Sequence, residues 1–89
     1  MKEDIKKFKV LTQNMRCIDD GIDNTIIKRS KRFLNLISKY LPDIIGTQEI
    51  STPWYNEFKE HLLSYYRMYS FHRLCTILLA WNGVLRHLR

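Results

Sequence analysis

One amphipathic helix pattern, ended by a proline and followed at once by an apolar run, constrains this fold more than any other feature. The helical stripe consists of Ile26, Ile27, Phe33, Leu34, Ile37 and Leu41. Polar and basic side chains occupy the opposite face. Pro42 ends the helix, because the residue before a proline disfavours helical conformation. The predicted helix is about 24 Å long at 1.5 Å per residue.

Strand patterns lie on both sides of this helix. Residues 8–15 alternate loosely around apolar anchors and predict a first strand. Residues 43–49 contain a continuous apolar run and predict a second strand that is buried on both faces. A helix start at residues 51–53 predicts a second helix, and residues 66–71 predict a third strand. The order strand-helix-strand-helix-strand predicts an α/β fold whose strands pair in parallel through right-handed crossovers.

Polar residues stand at the ends of the first two strands. Asn14 ends the first strand and Glu49 ends the second. The carboxyl ends of parallel strands share one edge of a sheet, and open α/β sheets bind their ligands there. A carboxylate and an amide at that edge suit Mg²⁺, which would offset the cost of a carboxylate after an apolar strand. The alternative is that Glu49 is a solvated rim residue and that Asn14 starts a turn.

Two neighbouring residues fit the same hypothesis. Gln48 precedes the carboxylate in the sequence and is placed to orient it by a hydrogen bond. Arg16 follows Asn14 closely and is placed to reach a substrate phosphate. The alternative for Arg16 is a solvated loop cation.

Two further clusters favour a structural interpretation. Basic residues of the first helix resemble a nucleic-acid patch, but helical register places most of them on the solvent face. They are Lys28, Arg29, Lys31 and Arg32. Aromatic residues in and after the second helix are expected to pack in the core instead of stacking on bases. They are Trp54, Phe58, Tyr65 and Tyr66.

The two strand-end motifs resemble the opening of a known enzyme family. FKVLTQNMR, then DDG, a helix and LPDIIGTQE are similar to the first motifs of the endonuclease/exonuclease/phosphatase family, which includes pancreatic-type deoxyribonuclease. The resemblance covers about residues 7–71. Asn14 matches the asparagine of the first motif, and Gln48 and Glu49 match the end of the second.

The resemblance implies a four-layer α/β sandwich, of which this chain holds a truncated N-terminal part. It also implies a hydrolase that acts on phosphodiester or phosphomonoester bonds. Glu49 would bind the divalent cation, Mg²⁺ or Mn²⁺, and Asn14 would position metal and phosphate. The cation polarises the phosphoryl oxygens, and a histidine activates the attacking water. The implied substrate is a phosphate ester: DNA, RNA, a lipid or a sugar phosphate.

Later catalytic residues of that family are absent from the sequence. No aspartate occurs after Asp43, so the family's Asp-x-Asn pair and its terminal Ser-Asp-His segment are missing. His61 is expected on the surface of the second helix, and His72 and His87 lack a carboxylate partner in their segment. We therefore expect weak cation binding and little or no hydrolysis by this chain alone.

The last 18 residues differ in composition. Residues 72–89 contain no lysine, aspartate or glutamate and are rich in leucine, arginine and histidine. The shift predicts a boundary between a family portion, residues 1–71, and an atypical tail, read out of frame. The rival interpretation is a natural short protein whose tail packs as a third helix. In both cases the sheet lacks a covering second sheet, and its apolar face and unpaired edge invite aggregation or docking to another chain. The alternative to an enzyme fragment is a non-catalytic α/β module that binds a protein partner through this face, or a non-functional product of a disrupted reading frame.

Length and composition limit the size of the domain, its kind of partner and its cellular compartment. The chain of 89 residues suffices for one small domain, and its net charge of +6 favours anionic partners. The first residues lack the apolar core of a secretory signal, and no apolar run reaches the roughly 20 residues that span a bilayer. Cys17 and Cys75 have no metal-site spacing. These features predict a cytoplasmic protein with reduced cysteines and no membrane partner.

Overall fold

A computed structural model describes residues 8–83. The elements in chain order are β1 (Val10–Asn14), α1 (Ile26–Tyr40), β2 (Ile44–Gln48), α2 (Thr52–His61), β3 (Tyr66–Phe71) and β4 (Thr76–Trp81), with short 3₁₀ turns at Ile22–Asn24 and His72–Leu74. The strands form a four-stranded sheet in the order β1-β2-β4-β3. The predicted α/β class and the strand-helix-strand-helix-strand order are confirmed. Within these residues no helix has the length and apolar character needed to cross a membrane.

Local signals set both ends of α1. The Thr25 hydroxyl accepts a hydrogen bond of 3.2 Å from the Lys28 amide and so caps the first turn. At the other end Leu41 has a φ of 48°, and its amide donates to the Ile37 carbonyl at 2.8 Å. Pro42 follows and stops the helix. The chain then enters β2 directly, so α1 is the crossover between β1 and β2.

The pairing of the strands is partly as predicted. β1 and β2 pair in parallel, with Asn14 opposite Gln48. The expected parallel pairing of residues 66–71 with β2 is wrong, because β4 lies between β2 and β3 and is antiparallel to both. The 3₁₀ turn at His72–Leu74, followed by Cys75 with a φ of 49°, folds β4 back onto β3 as a hairpin. β3 therefore runs in the same direction as β2 but is an edge strand.

β4 occupies an inner position because its side chains are apolar on both faces. Ile77 and Leu79 are 1% and 0% exposed, and they pair with the buried side of β2. Leu78 and Ala80 lie on the other face. A strand that is apolar on both faces shows a continuous apolar run instead of alternation, which hides it in the sequence. Part of the segment 72–89 thus forms a strand and not a third helix, whereas the reading-frame shift stays a prediction.

Both helices pack on one face of the sheet and form the core with it. The rings of Trp54 and Phe58 lie 6.2 Å and 5.9 Å from the ring of Phe33, which joins α2 to α1. The other core residues are Met15, Ile26, Ile37, Ile45, Leu62, Tyr66, Ile77 and Leu79. The predicted burial of Trp54, Phe58 and Tyr66 is therefore confirmed.

Three apolar side chains that the periodicity assigns to the core are exposed instead. The exposed fractions are 61% for Ile27, 66% for Leu41 and 62% for Tyr65. Ile27 lies about 100° around the helix from Ile26 and so faces away from the sheet. Leu41 and Tyr65 come after the last residues of α1 and α2. The apolar stripe that reaches the core is narrower than the sequence predicts.

The side of the sheet away from the helices is called the open face here. Alternation along the paired strands assigns to it Val10, Thr12, Asn14, Ile44, Gly46, Gln48, Arg67, Tyr69, Phe71, Thr76, Leu78 and Ala80. Val10, Tyr69 and Phe71 are exposed there. Apolar residues make up most of the open face; Asn14 and Gln48 lie side by side at one end of it, and Arg67 lies at the other end.

Candidate functional site

β1 and β2 end side by side and bring Asn14 and Glu49 together. The Asn14 amide nitrogen, Nδ2, donates a hydrogen bond of 2.7 Å to Oε2 of Glu49. Both side chains are exposed at the rim where β1, β2 and β3 end, which we call the carboxyl edge. The sequence-based expectation that these two residues share one edge of the sheet is met.

The orientation of the Asn14 amide is set by the chain that follows it. The backbone amide of Arg16 donates to Oδ1 of Asn14 at 3.0 Å. A backbone N–H requires an acceptor, so the amide oxygen faces Arg16 and the amide nitrogen faces Glu49. Asn14 therefore acts on the Glu49 carboxylate as a hydrogen-bond donor, while Arg16 occupies one of the two lone pairs of the Asn14 amide oxygen.

Glu49 is the member of this pair that can hold a cation. A carboxylate offers about four lone-pair directions, and the described residues donate one hydrogen bond to it, from Asn14. Mg²⁺ and Mn²⁺ prefer such hard oxygen ligands, and Mg²⁺ keeps several waters where the protein supplies few. One exposed carboxylate with water makes a weak cation site.

Both chain segments at this edge have left-handed backbone. The φ angles are 57° for Glu49 and 55° for Arg16, a region that costs a residue other than glycine roughly 1–2 kcal/mol. Backbone hydrogen bonds on either side hold Glu49 in this conformation. The Gln48 carbonyl accepts a hydrogen bond of 2.8 Å from the Met15 amide. The Ile50 amide donates a hydrogen bond of 2.9 Å to the carbonyl of Cys75, which precedes β4. The strain is thus imposed by the chains on both sides of β2.

The two accessory residues lie in different surroundings from Asn14. The Gln48 side chain lies over Gly46, with its amide nitrogen 4.0 Å from the position that a Cβ of residue 46 would take. Among the described hydrogen bonds, Gln48 makes none to Glu49. The Arg16 guanidinium pairs with Asp20 at 3.5 Å, so its charge faces the loop after β1. Its contact with a substrate phosphate stays a prediction.

His61 lies at the other end of the molecule from this pair. Its Nε2 is 3.7 Å from Glu57 and 3.6 Å from Glu60. It also lines a groove with Asp43, which precedes β2, whereas Glu49 follows β2. The three α2 side chains are close enough to hold a metal ion, but exposed acidic groups on one helix commonly lie together without one. His61 is therefore not a base for the carboxyl edge.

His72 stands at the carboxyl edge, in the turn between β3 and β4. It lines a cavity of about 460 Å³ with Ser51 and Thr52, which follow Glu49 in the chain. Within residues 8–83 no carboxylate forms an ion pair with His72, and a general base needs such an orienting partner. His87 lies outside the described residues.

Arg29 departs from the solvent-facing role expected of its cluster. Its Nη1 donates to the carbonyls of Met15 and Arg16 at 2.7 Å and 3.0 Å. Arg29 lies three residues after Ile26 and four before Phe33, which puts it beside the apolar stripe of α1. That spacing indicates a position near the core, but the neighbouring basic residues make Arg29 look like part of a solvent-facing cluster. The other three basic residues of the cluster are exposed, as predicted.

Comparison with known proteins adds no family assignment. No protein-family model matches the chain, and no curated protein matches it. Membership of the endonuclease/exonuclease/phosphatase family stays a prediction from the two strand-end motifs.

Proposed function

We propose that this chain is the N-terminal part of a divalent-metal-dependent phosphoesterase, in which Glu49 binds Mg²⁺ or Mn²⁺ and Asn14 orients the carboxylate. The contact of 2.7 Å between the two side chains carries the proposal. The left-handed backbone of Glu49 supports it, since sparsely populated conformations concentrate at functional sites. The resemblance of the two motifs supplies the reaction class, which is hydrolysis of a phosphate ester.

The chain alone is inactive or nearly so under this proposal. A bound cation would polarise the phosphoryl oxygens and stabilise the leaving oxygen. Glu49 would anchor that cation, and the exposed edge beside it would admit the phosphate ester. The described residues offer no histidine paired with a carboxylate at the carboxyl edge, so the base that activates water must come from elsewhere. Two free, exposed cysteines support a reducing, cytoplasmic setting.

A Mn²⁺ titration tests the proposal through paramagnetic broadening of the backbone amide resonances. The amides of Glu49 and Ile50 are expected to broaden first, with a dissociation constant of about 1 mM or weaker, because the site has one carboxylate. Glu49→Gln keeps the size of the side chain and is expected to abolish this broadening. Neither protein is expected to hydrolyse p-nitrophenyl phosphate esters.

Glu60→Gln is the matched control for that experiment. It removes the same charge from an exposed side chain of the acidic group on α2, at the other end of the molecule. Broadening at Glu49 should persist in this variant. Broadening that survives Glu49→Gln, or that centres on Glu57 and Glu60, would overturn the assignment of the cation to Glu49.

A non-catalytic interaction module is the second candidate, and the open face favours it. Val10 and Phe71 are 62% and 48% exposed on a face that is mostly apolar. Apolar patches of this kind mark protein interfaces. The protein partner would be a second copy of this chain, whose own open face covers the sheet as a second sheet covers the first in a sandwich.

Sedimentation velocity over a range of concentrations tests this second candidate. Self-association that Phe71→Lys abolishes would identify the open face as an interface. Ile27→Lys is the control, because it adds the same charge at an exposed apolar position on the helical side. Self-association that both variants weaken equally, or no self-association at all, counts against the open face.

A further inference from the structure

The loop after β1 is held from the core side by two side chains. Arg29 Nη1 donates to the Met15 carbonyl at 2.7 Å, and the indole nitrogen of Trp54 donates to the same carbonyl at 3.0 Å. Both groups also reach the Arg16 carbonyl, at 3.0 Å from Arg29 and 3.3 Å from Trp54. Arg29 donates further to the carbonyls of Asn24 and Ile18. One guanidinium thus contacts four backbone carbonyls.

The two side chains also pack on each other. The Arg29 guanidinium carbon lies 5.7 Å from the centre of the Trp54 ring, within the range of a cation–π contact. Trp54 is 1% exposed and meets Phe33 edge to face. No carboxylate of the described residues pairs with Arg29, so backbone carbonyls are the partners of its charge. Because the Arg29 guanidinium is hydrogen-bonded to backbone carbonyls of the loop after β1, it fixes the position of that loop.

The hydrogen bonds from Arg29 and Trp54 to the Met15 carbonyl determine where the Asn14 side chain points. In a trans peptide the carbonyl of Met15 and the amide N–H of Arg16 share one plane and point in opposite directions. Holding that carbonyl toward the core therefore aims the Arg16 N–H away from it, at Oδ1 of Asn14, 3.0 Å away. The amide nitrogen of Asn14 is then left to donate to Glu49.

We infer that Arg29 and Trp54 are positioning residues for the Asn14–Glu49 pair. They hold the peptide between Met15 and Arg16, and that peptide sets the orientation of the Asn14 amide. The inference rests on the proposed function for its consequence, which is the affinity for a cation. The orientation of Asn14 itself does not depend on any cation.

The test compares two variants by the NMR signals of the Asn14 side-chain amide, recorded on the protein without metal. Arg29→Gln removes most of the donors, whereas Trp54→Phe removes the indole N–H and part of the ring volume but keeps an aromatic ring in the core. The side-chain amide protons of Asn14 should be widely separated in a ¹⁵N-correlated NMR spectrum, because one of them is bound to the Glu49 carboxylate. Both variants should reduce this separation toward that of the exposed Asn35. Lys31→Gln removes the same charge from an exposed position on α1 and should change nothing.

Cation affinity is the second measurement. Mn²⁺ binding at Glu49 should weaken about tenfold in Arg29→Gln, as for other groups that orient a metal ligand. Arg29→Lys keeps the charge and one donating group, and it should recover part of the Asn14 separation. The variants are compared only under conditions in which their backbone spectra remain dispersed, and Trp54→Phe decides the question if Arg29→Gln unfolds.

The outcomes separate this inference from the proposed function. An Asn14 separation that is unchanged in Trp54→Phe, or in a folded Arg29→Gln, would overturn the inference. A wild-type protein that binds no Mn²⁺ at Glu49 would overturn the proposed function, while the loss of the Asn14 separation would still support the positioning role.

Discussion

The two edges of the sheet use polar residues in opposite ways. At the carboxyl edge, Asn14 and Glu49 are exposed, and the backbone of Glu49 is left-handed. At the amino edge, where β1 and β2 begin, the Asp43 carboxylate accepts from a backbone amide of the β1 segment at 2.8 Å. The buried Tyr66 hydroxyl donates to the Pro42 carbonyl at 2.6 Å in the same region.

This difference separates polar groups that complete the fold from groups that remain available to a ligand. The Asp43 carboxylate and the Tyr66 hydroxyl both have partners inside the chain, so their burial costs little. The carboxyl edge keeps an exposed carboxylate on a left-handed backbone, a conformation that costs free energy in a residue other than glycine. Stability should therefore depend on the amino edge, and cation binding on the carboxyl edge.

Leu79→Ala should have the largest effect, because β4 supports both edges. The Trp81 amide donates to the Asp43 carbonyl at one end of β4, and the Cys75 carbonyl accepts from Ile50 at the other. Leu79 is fully buried between them. Its truncation should lower the free energy of unfolding by about 2–5 kcal/mol, measured by urea denaturation. Both edges should lose order together.

Leu74→Ala is the control for that substitution. Leu74 lies in the turn before β4 and is 72% exposed, so its truncation should change stability by less than about 0.5 kcal/mol. Equal effects of the two truncations would show that β4 is not packed in the sheet.

Tyr66→Phe should weaken the amino edge without changing the carboxyl edge. The substitution keeps the ring and leaves the Pro42 carbonyl without its hydroxyl donor. The expected loss is about 1–3 kcal/mol in the free energy of unfolding, with Mn²⁺ broadening at Glu49 unchanged. Tyr69→Phe, on the open face, removes a hydroxyl from a more exposed ring and should have almost no effect on stability. A similar loss of unfolding free energy in Tyr66→Phe and Tyr69→Phe would show that the buried Tyr66 hydroxyl contributes no more to stability than an exposed one.

The contribution of the Tyr66 hydroxyl to stability should depend on pH in the alkaline range. Burial, and secondarily the negative charge of Asp43, raises the pKa of Tyr66 above its ordinary value of 10.0. The unfolded chain then loses this proton at a lower pH than the folded chain. The stabilisation is complete below the unfolded pKa and is lost as the pH rises through the folded pKa. The stability difference between wild type and Tyr66→Phe should narrow as the pH rises above the ordinary tyrosine pKa of 10.0, and a constant difference would contradict this.

Glu49→Gly should have the smallest effect on stability and the opposite sign. Glycine adopts a φ of 57° without strain, although it also loses more entropy on folding. Relative to Glu49→Ala, which keeps a Cβ, the glycine variant should be more stable by about 0.5–1 kcal/mol. Both variants should lose Mn²⁺ binding. A glycine variant that is less stable than the alanine variant would show that the backbone at this position is not strained.

The candidate site could be predicted in part from the sequence. The sequence predicts that Asn14 and Glu49 share one edge of the sheet, because the order strand-helix-strand favours a parallel pair. The direction of the Asn14 amide was not predictable, because it depends on the Arg16 N–H and, behind it, on Arg29. These contacts join residues that no local pattern relates.

The sequence by itself determined the β1-α1-β2 unit, because its signals act within a few residues: the Thr25 cap, the apolar stripe of α1 and the stop at Pro42. Only the tertiary structure decided that Thr76–Trp81 is an inner strand, since a run that is apolar on both faces suits a helix or a strand equally until neighbours bury it. The same holds for Arg29, whose charge predicts solvent and whose carbonyl partners lie on a different element of the fold.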